Sequence, residues 1–235
     1  DDEKPLQTVT LAGFRIARYP VTNAQWGRFM AAGGYTDRQW WSDQGWEARA
    51  QGLDYTGEPT DTPWSQPEYW ADPQFNAPNQ PVVGVAWYEV EAFCAWLGQR
   101  LGYAVQLPTE AQWEAAARGP ARPIYSWGNE WEADRANTTE SDLNRTTAVG
   151  SYPQGASWCG ALDMAGNVLE WTRSDFRNTD RANEIDIMKN STSVSMRGGA
   201  WFYPRRVARG ACRLRYYPHS RLYPLGVRLV TPLTI

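Results

Sequence analysis

Histidine is almost missing from this sequence: His219 is the only one in 235 residues, and lysine occurs twice, at Lys4 and Lys189. One imidazole makes a histidine-based zinc site or a Ser-His-Asp triad hard to build. Cysteine is equally sparse. Cys94, Cys159 and Cys212 are scattered, odd in number and free of any CxxC spacing, so neither a disulfide framework nor a thiol redox motif is indicated. No apolar run approaches the roughly 18 residues of a membrane span, so no membrane span is expected. An excess of one charge is missing too: 23 basic and 26 acidic side chains leave a net charge of −3, and nothing asks for nucleic acid or a membrane surface. Residues 1–7 (DDEKPLQ) lack the basic and apolar regions of a secretory signal, and the expected location is cytoplasmic.

What the chain has in abundance is Trp (14), Tyr (12), Pro (16) and Gly (20). Such usage predicts a loop-rich α+β domain held by aromatic packing around short elements. No repeat or linker interrupts it, so residues 1–235 read as one domain.

Residues 7–19 alternate enough for a hairpin around Ala12-Gly13. Thr22 with Gln25 three residues on is a capping box, and Trp26, Phe29 and Met30 then share a helical face that ends at Gly33-Gly34. From Tyr35 to Pro81 the period dissolves into Trp, Pro and Gly, which predicts a long loop pinned by aromatics, with a short helix over Arg38–Gln51. Pro81–Val85 reads as a short apolar strand. Val90, Phe93, Cys94, Leu97 and Leu101 form the clearest helical stripe, stopped by Gly102, and Cys94 on it is a core residue. Thr109 and Gln112 form a second capping box before Trp113, Ala116 and Ala117. The polar stretch Arg173–Ser195 reads as a surface loop.

Seven pieces in order resemble one family. They are Arg18–Asn23, Pro81–Trp87 with Ala92–Trp96, Leu107–Glu114, Trp127–Asn129, Ala136–Thr138, Asp163–Trp171, and Arg197–Trp201 with Gly226–Arg228. Together they are similar to the formylglycine-generating-enzyme family, also called the sulfatase-modifying-factor domain. The resemblance implies a C-type-lectin-like fold: two or three helices around short antiparallel sheets, with the N- and C-terminal strands close together.

Within that family the resemblance is nearest to the variable proteins of diversity-generating retroelements. Enzymes of the family that oxidise a sulfatase cysteine carry two cysteines after the Gly-Gly-aromatic motif, and these hold copper. Here their places are taken by Tyr203 and Ala208, so no copper is expected. The ergothioneine-pathway branch uses iron-binding histidines and an extra helical domain, which find no counterpart in these 235 residues. The variable proteins instead randomise a ligand surface by replacing adenines, mostly in AAC or AAT codons. That chemistry cannot yield Lys, Glu, Gln, Met or Trp. Residues 202–224 contain none of the five, where the composition of the whole chain would give about four or five.

The expectation is therefore a non-catalytic binding protein, not an enzyme, with a diversified surface over about 201–224. Its ligand would be a macromolecule, a protein by preference, and the domain would form part of a larger protein. Fixed specificity on the same fold is the alternative, and a formylglycine-generating-type oxidase the disfavoured one. The variable, ligand-binding positions expected are Phe202, Tyr203, Arg206, Cys212, Leu214, Tyr216, Tyr217, His219, Ser220, Leu222, Tyr223 and Pro224. Between them Arg205, Val207, Gly210, Arg213, Arg215 and Arg221 belong to the scaffold. Aromatic rings would supply rigid contact area and arginines a planar charged fork.

The family also implies structural calcium. Asp163, Gly166, Val168 and Glu170 match one site, in which backbone carbonyls and the Glu170 carboxylate would hold a hard ion. Asn137 and Thr138 with Asp142 match a second. The other reading of Glu170 is a partner for an arginine.

Overall fold

A computed structural model describes residues 8–177 and 193–233. The elements in chain order are β1 (Phe14–Ile16), α1 (Asn23–Ala31), α2 (Asp43–Gln51), α3 (Trp87–Leu101), α4 (Glu110–Arg118), β2 (Leu169–Asp175), β3 (Val194–Arg197), β4 (Leu214–Tyr216), β5 (Leu225–Gly226) and β6 (Val230–Pro232). The architecture is α+β, with four α-helices where two or three were expected.

The helix starts are those the sequence marks. Thr22 and Thr109 each close a capping box with Gln25 and Gln112, and α3 ends where Gly102 turns left-handed at φ 74°. Residues 38–51 divide into a 3-10 turn (Arg38–Trp40) and α2, because Ser42 caps a fresh start by accepting from the Gly45 N–H.

Two sheets result. β1 pairs antiparallel with β6, Phe14 opposite Pro232 and Ile16 opposite Val230. No local hairpin around Ala12-Gly13 forms: the partner of the first strand is the last one, as the family resemblance implied. The second sheet has the order β4-β3-β2-β5, antiparallel except for β2 and β5, which run parallel. Pro81–Val85 is buried but makes no strand. Gly84 sits at φ 70°, which breaks the extended run, and only Pro81 bridges to Thr22. Most of the expected surface loop over Arg173–Ser195 lies outside the described residues, but its two ends continue β2 and start β3.

The core is aromatic. Trp26 stacks on Phe93 at 4.8 Å, and Phe29 meets both edge-on at 5.5 and 5.6 Å. Burial of each such ring is worth about 1.5–3 kcal/mol. Cys94 lies in this core, where burial pushes its thiol well above the usual range, so it packs rather than reacts.

Candidate functional site

Arg197 to Val230 leaves β3, wanders through irregular backbone and β4, and returns as β5 and β6. Its arginines divide into two sets. Arg197 and Arg228 are fully buried. Arg197 donates to Glu110 (3.1 Å), to Glu114 (2.6 Å) and to the carbonyls of Gly210 (2.7 Å) and Ala211 (3.0 Å), tying the far bend of the segment to α4. Arg213 reaches the same Glu110 carboxylate. Burial pushes Glu114 up, but Arg197 and Arg118 outweigh it and hold its carboxyl below the usual range.

Arg221 fastens the other side. Its Nε donates to Glu89 (2.9 Å), one Nη to Glu68 (2.8 Å) and the other to the Gln66 carbonyl, while the guanidinium covers the Trp64 ring at 4.8 Å. The scaffold roles expected for Gly210, Arg213 and Arg221 fit these contacts. Arg205 and Arg215 have exposed side chains, but Arg215 in β4 pairs with Ser195 and lies over the Phe176 ring at 5.1 Å, and the Arg205 N–H donates to Glu140 at 2.9 Å.

Between these anchors the expected ligand residues fall into two groups. Phe202 lies 4.0 Å from Tyr203 and 5.2 Å from Tyr223 between ring centres, and the Tyr203 and Tyr216 hydroxyls share a hydrogen bond of 3.2 Å. Burial, with the Tyr216 hydroxyl second, pushes the Tyr203 phenol well above its usual range, so it keeps its proton at neutral pH. Cys212 and Leu214 are half-buried nearby in sequence, and Leu214 packs against the core. Further on, Tyr217 is 52% exposed and stacks on His219 at 5.5 Å. Burial lowers the His219 pKa against the pull of Asp54. Arg206 is exposed, whereas Ser220 and Pro224 are buried and present nothing to a ligand.

One wall of this face comes from residues whose sequence reads as loop. Residues 52–69 and Arg221 with Leu222 enclose a cavity of about 410 Å³, lined among others by Asp54, Trp64, Glu68 and Tyr69. Gly57 lies against His219: a Cβ there would stand 3.1 Å from the imidazole. The available signal was the density of Trp, Pro and Tyr in a loop too long to be idle.

Tyr203 and Ala208, where the resemblance would place two copper-binding cysteines, do not fit that metal. Ala208 is buried against Gly199, which sits at φ 71° and where an added Cβ would stand 3.0 Å from the Ala208 Cα. Tyr203 offers a protonated phenol. Neither is a thiolate.

Calcium fits no better. The Glu170 carboxylate accepts from Arg228 Nε (2.9 and 3.1 Å) and Nη (2.7 Å) and from the Trp113 indole (2.5 Å), which fills its acceptor positions. Arg228 also donates to the carbonyls of Ala17, Arg18 and Leu162. The expected ligand set of Asp163, Gly166, Val168 and Glu170 is therefore corrected: an arginine supplies the positive charge. The Asp163 carboxylate accepts from the Gly150 N–H at 2.7 Å, and burial pushes its pKa up to about 6. The Gly166 carbonyl accepts from the Val168 N–H at 2.9 Å.

The second set is dispersed. Asn137 is spent on Arg145 and Ser141, Thr138 donates to Glu140, and Asp142 is exposed at φ 54°. Among the described residues no cluster of three or more His, Cys, Asp or Glu is placed to hold a metal.

A family model described as the sulfatase-modifying factor enzyme 1-like domain matches residues 1–233. Hercynine oxygenase of Mycolicibacterium thermoresistibile is 35% identical over 97% of this chain and 53% of its own length. Formylglycine-generating enzyme of Mycobacterium tuberculosis is 33% identical over 74% of this chain and 68% of its own. The chain thus spans about half the length of the hercynine oxygenases it matches.

Among solved structures, PvdO from Pseudomonas aeruginosa superposes with a TM-score of 0.73 at 26% identity, covering 99% of this chain and 85% of PvdO. Treponema denticola variable protein 1 shares the fold, with a TM-score of 0.64 at 21% identity over 93% of this chain and 84% of its own. The expectation of a protein without catalytic function is overturned by these two sequence relatives, each named as an enzyme, which point to an enzyme here. With a C-type-lectin-like α+β fold and a family match running through nearly every residue, the chain belongs to the sulfatase-modifying factor enzyme 1-like family.

Proposed function

We propose that the chain is the lectin-like, substrate-holding portion of an oxygenase, with residues 202–224 and the 52–69 loop forming the surface against which substrate lies. One observation carries this reading. The identity to hercynine oxygenase extends over 97% of the chain, and so takes in the whole frame of the face. A cavity of about 410 Å³ at Arg221 and Leu222 gives room for a small substrate.

The work assigned to this chain is binding, orientation and exclusion of water. Tyr203, which stays protonated, and its partner Tyr216 are the hydrogen-bonding pair on an otherwise apolar floor of Phe202 and Tyr223. Oxygen activation is not assigned to these residues, since Tyr203 and Ala208 do not fit a cysteine-bound copper.

Calorimetric titration of the protein with hercynine, and separately with a cysteine-containing peptide, tests the reading. The expected result is saturable 1:1 binding of hercynine that weakens about tenfold in Tyr216→Phe, the value of one hydrogen bond at the site. Folded protein that binds neither compound overturns it.

A second reading is favoured by the absence of Lys, Glu, Gln, Met and Trp from 202–224. On this reading the face is diversified between copies and its ligand is a protein, with Arg206 and Tyr217 as exposed contacts. A near-copy of the DNA encoding residues 197–230, with AAC or AAT at the codons of the face, decides it. A genome with no such copy leaves a face of fixed specificity.

A further inference from the structure

A second cavity lies at the other end of α3. Glu89, which anchors Arg221 under the face, and Arg100 are about 16 Å apart along the helix, and Arg100 belongs to a separate hollow of about 650 Å³ between α1, α3 and the edge of the β1–β6 sheet. Its floor is apolar, built from Ala17, Val21, Phe93, Leu97, Leu101 and Leu229. No lining residue is acidic.

Two guanidiniums border it, Arg28 in the last turn of α1 and Arg100 in the last turn of α3. Neither has an acidic partner among the described residues, although Arg100 leans over the Trp96 ring at 5.6 Å. They contrast with Arg197, Arg213, Arg221 and Arg228, which are all paired with glutamates. Gln25 also lines the hollow; its side-chain oxygen is taken by the Thr22 N–H at 2.9 Å, which leaves its amide N–H groups as donors.

A trough of this volume lined by aliphatic and aromatic carbon, with two uncompensated cations and an amide donor at its border, is complementary to an amphipathic anion. We propose that this hollow binds one free medium- or long-chain carboxylate, its alkyl chain on the α1–α3 floor and its carboxylate at Arg28 and Arg100. The proposal is independent of the oxygenase reading, because none of these residues belongs to the face.

Calorimetric titration of the protein with dodecanoate, below its micelle concentration, tests the site. The expected result is saturable 1:1 binding, weakened about tenfold by Arg28→Gln or Arg100→Gln, each removing one charge-assisted contact, and lost in Ala31→Trp. Ala31 lines the hollow from an exposed helix position, so the indole fills it without entering the core. Dodecyltrimethylammonium, with the same chain and opposite charge, should bind at least tenfold more weakly. No saturable binding, equal binding of the cationic surfactant, or binding unchanged in Ala31→Trp overturns the proposal. So does Arg28- and Arg100-dependent attachment to anionic phospholipid vesicles without uptake of dodecanoate, which would make the patch a membrane contact.

Discussion

Replacing Arg221 by Met tests whether the face is held by charge buried beneath it. Glu89 is fully buried and would keep only the Tyr35 hydroxyl and the Ala86 N–H, at 2.7 Å, as partners. Removing one member of such a buried pair costs about 3–5 kcal/mol, because the other charge is left uncompensated. The second contact, to the half-exposed Glu68, adds only about 0–1 kcal/mol. In a domain of this size about 1 kcal/mol moves Tm by roughly 2–4 °C, so Arg221→Met should melt roughly 6–24 °C lower.

The loss should depend on pH. Burial already holds the Glu89 carboxyl above its ordinary 4.5, against the opposing pull of Arg221, and removing the arginine raises it further. A carboxyl with a raised folded pKa destabilises the fold as pH climbs above the unfolded value. The deficit should therefore be small near pH 5 and largest near pH 8. Glu89→Gln combined with Arg221→Met leaves no stranded charge and should recover most of the loss. Urea unfolding at pH 5 and pH 8 measures all three proteins. A single variant that costs under about 1 kcal/mol, or a double variant no better than the single at pH 8, refutes the reasoning.

Two further outcomes follow from buried carboxylates. Glu91 has one carboxylate oxygen buried without a partner, and burial pushes its pKa up to about 8. Native stability should fall as pH rises from 4.5 toward 8, and Glu91→Gln should stabilise by up to about 3 kcal/mol at pH 7 but only about 1 kcal/mol at pH 5; a Tm gain equal at both values contradicts this. Glu170→Gln should cost about 3–5 kcal/mol by weakening the hold on buried Arg228, equally with calcium added or chelated. A chelator that lowers the Tm of the parent protein but not of Glu170→Gln would return the metal to that carboxylate.

The parts of this fold written locally could be read from the chain. Thr22 with Gln25, Thr109 with Gln112, and the stripe from Val90 to Leu101 each specify a helix within one or two turns, so α1, α3 and α4 were legible. Elements that depend on distant partners were not. β1 looks like half of a hairpin because its true partner, β6, lies more than two hundred residues away. Pro81–Val85 has strand composition, but the positive φ of Gly84 cannot be seen in a run of apolar letters.

The same limit applies to the site. Phe202, Tyr203, Tyr216 and Tyr223 share one segment and could be listed together, whereas the 52–69 wall reaches that segment only in the fold, through Arg221 and Leu222, Gly57 against His219, and Tyr69 against the Tyr223 ring at 6.0 Å. Glu170 sits in a motif whose spacing suggests a metal ligand, yet its partner Arg228 is 58 residues on, and only the folded chain reveals that a guanidinium has taken the acceptors.

The pairing of the first strand with the last has a mechanical consequence. Phe14 and Pro232 lie side by side, so the chain approaches and leaves the β1–β6 sheet at one corner. Tension applied through the two flanks would load the Leu233–Gly13 backbone hydrogen bond first, then the Phe14–Pro232 rung, and part the strands in sequence, as a zipper opens, rather than shearing all the rungs together. The β1–β6 sheet would then yield at low force, while the four-stranded sheet bearing β4 and β5 is still unstrained.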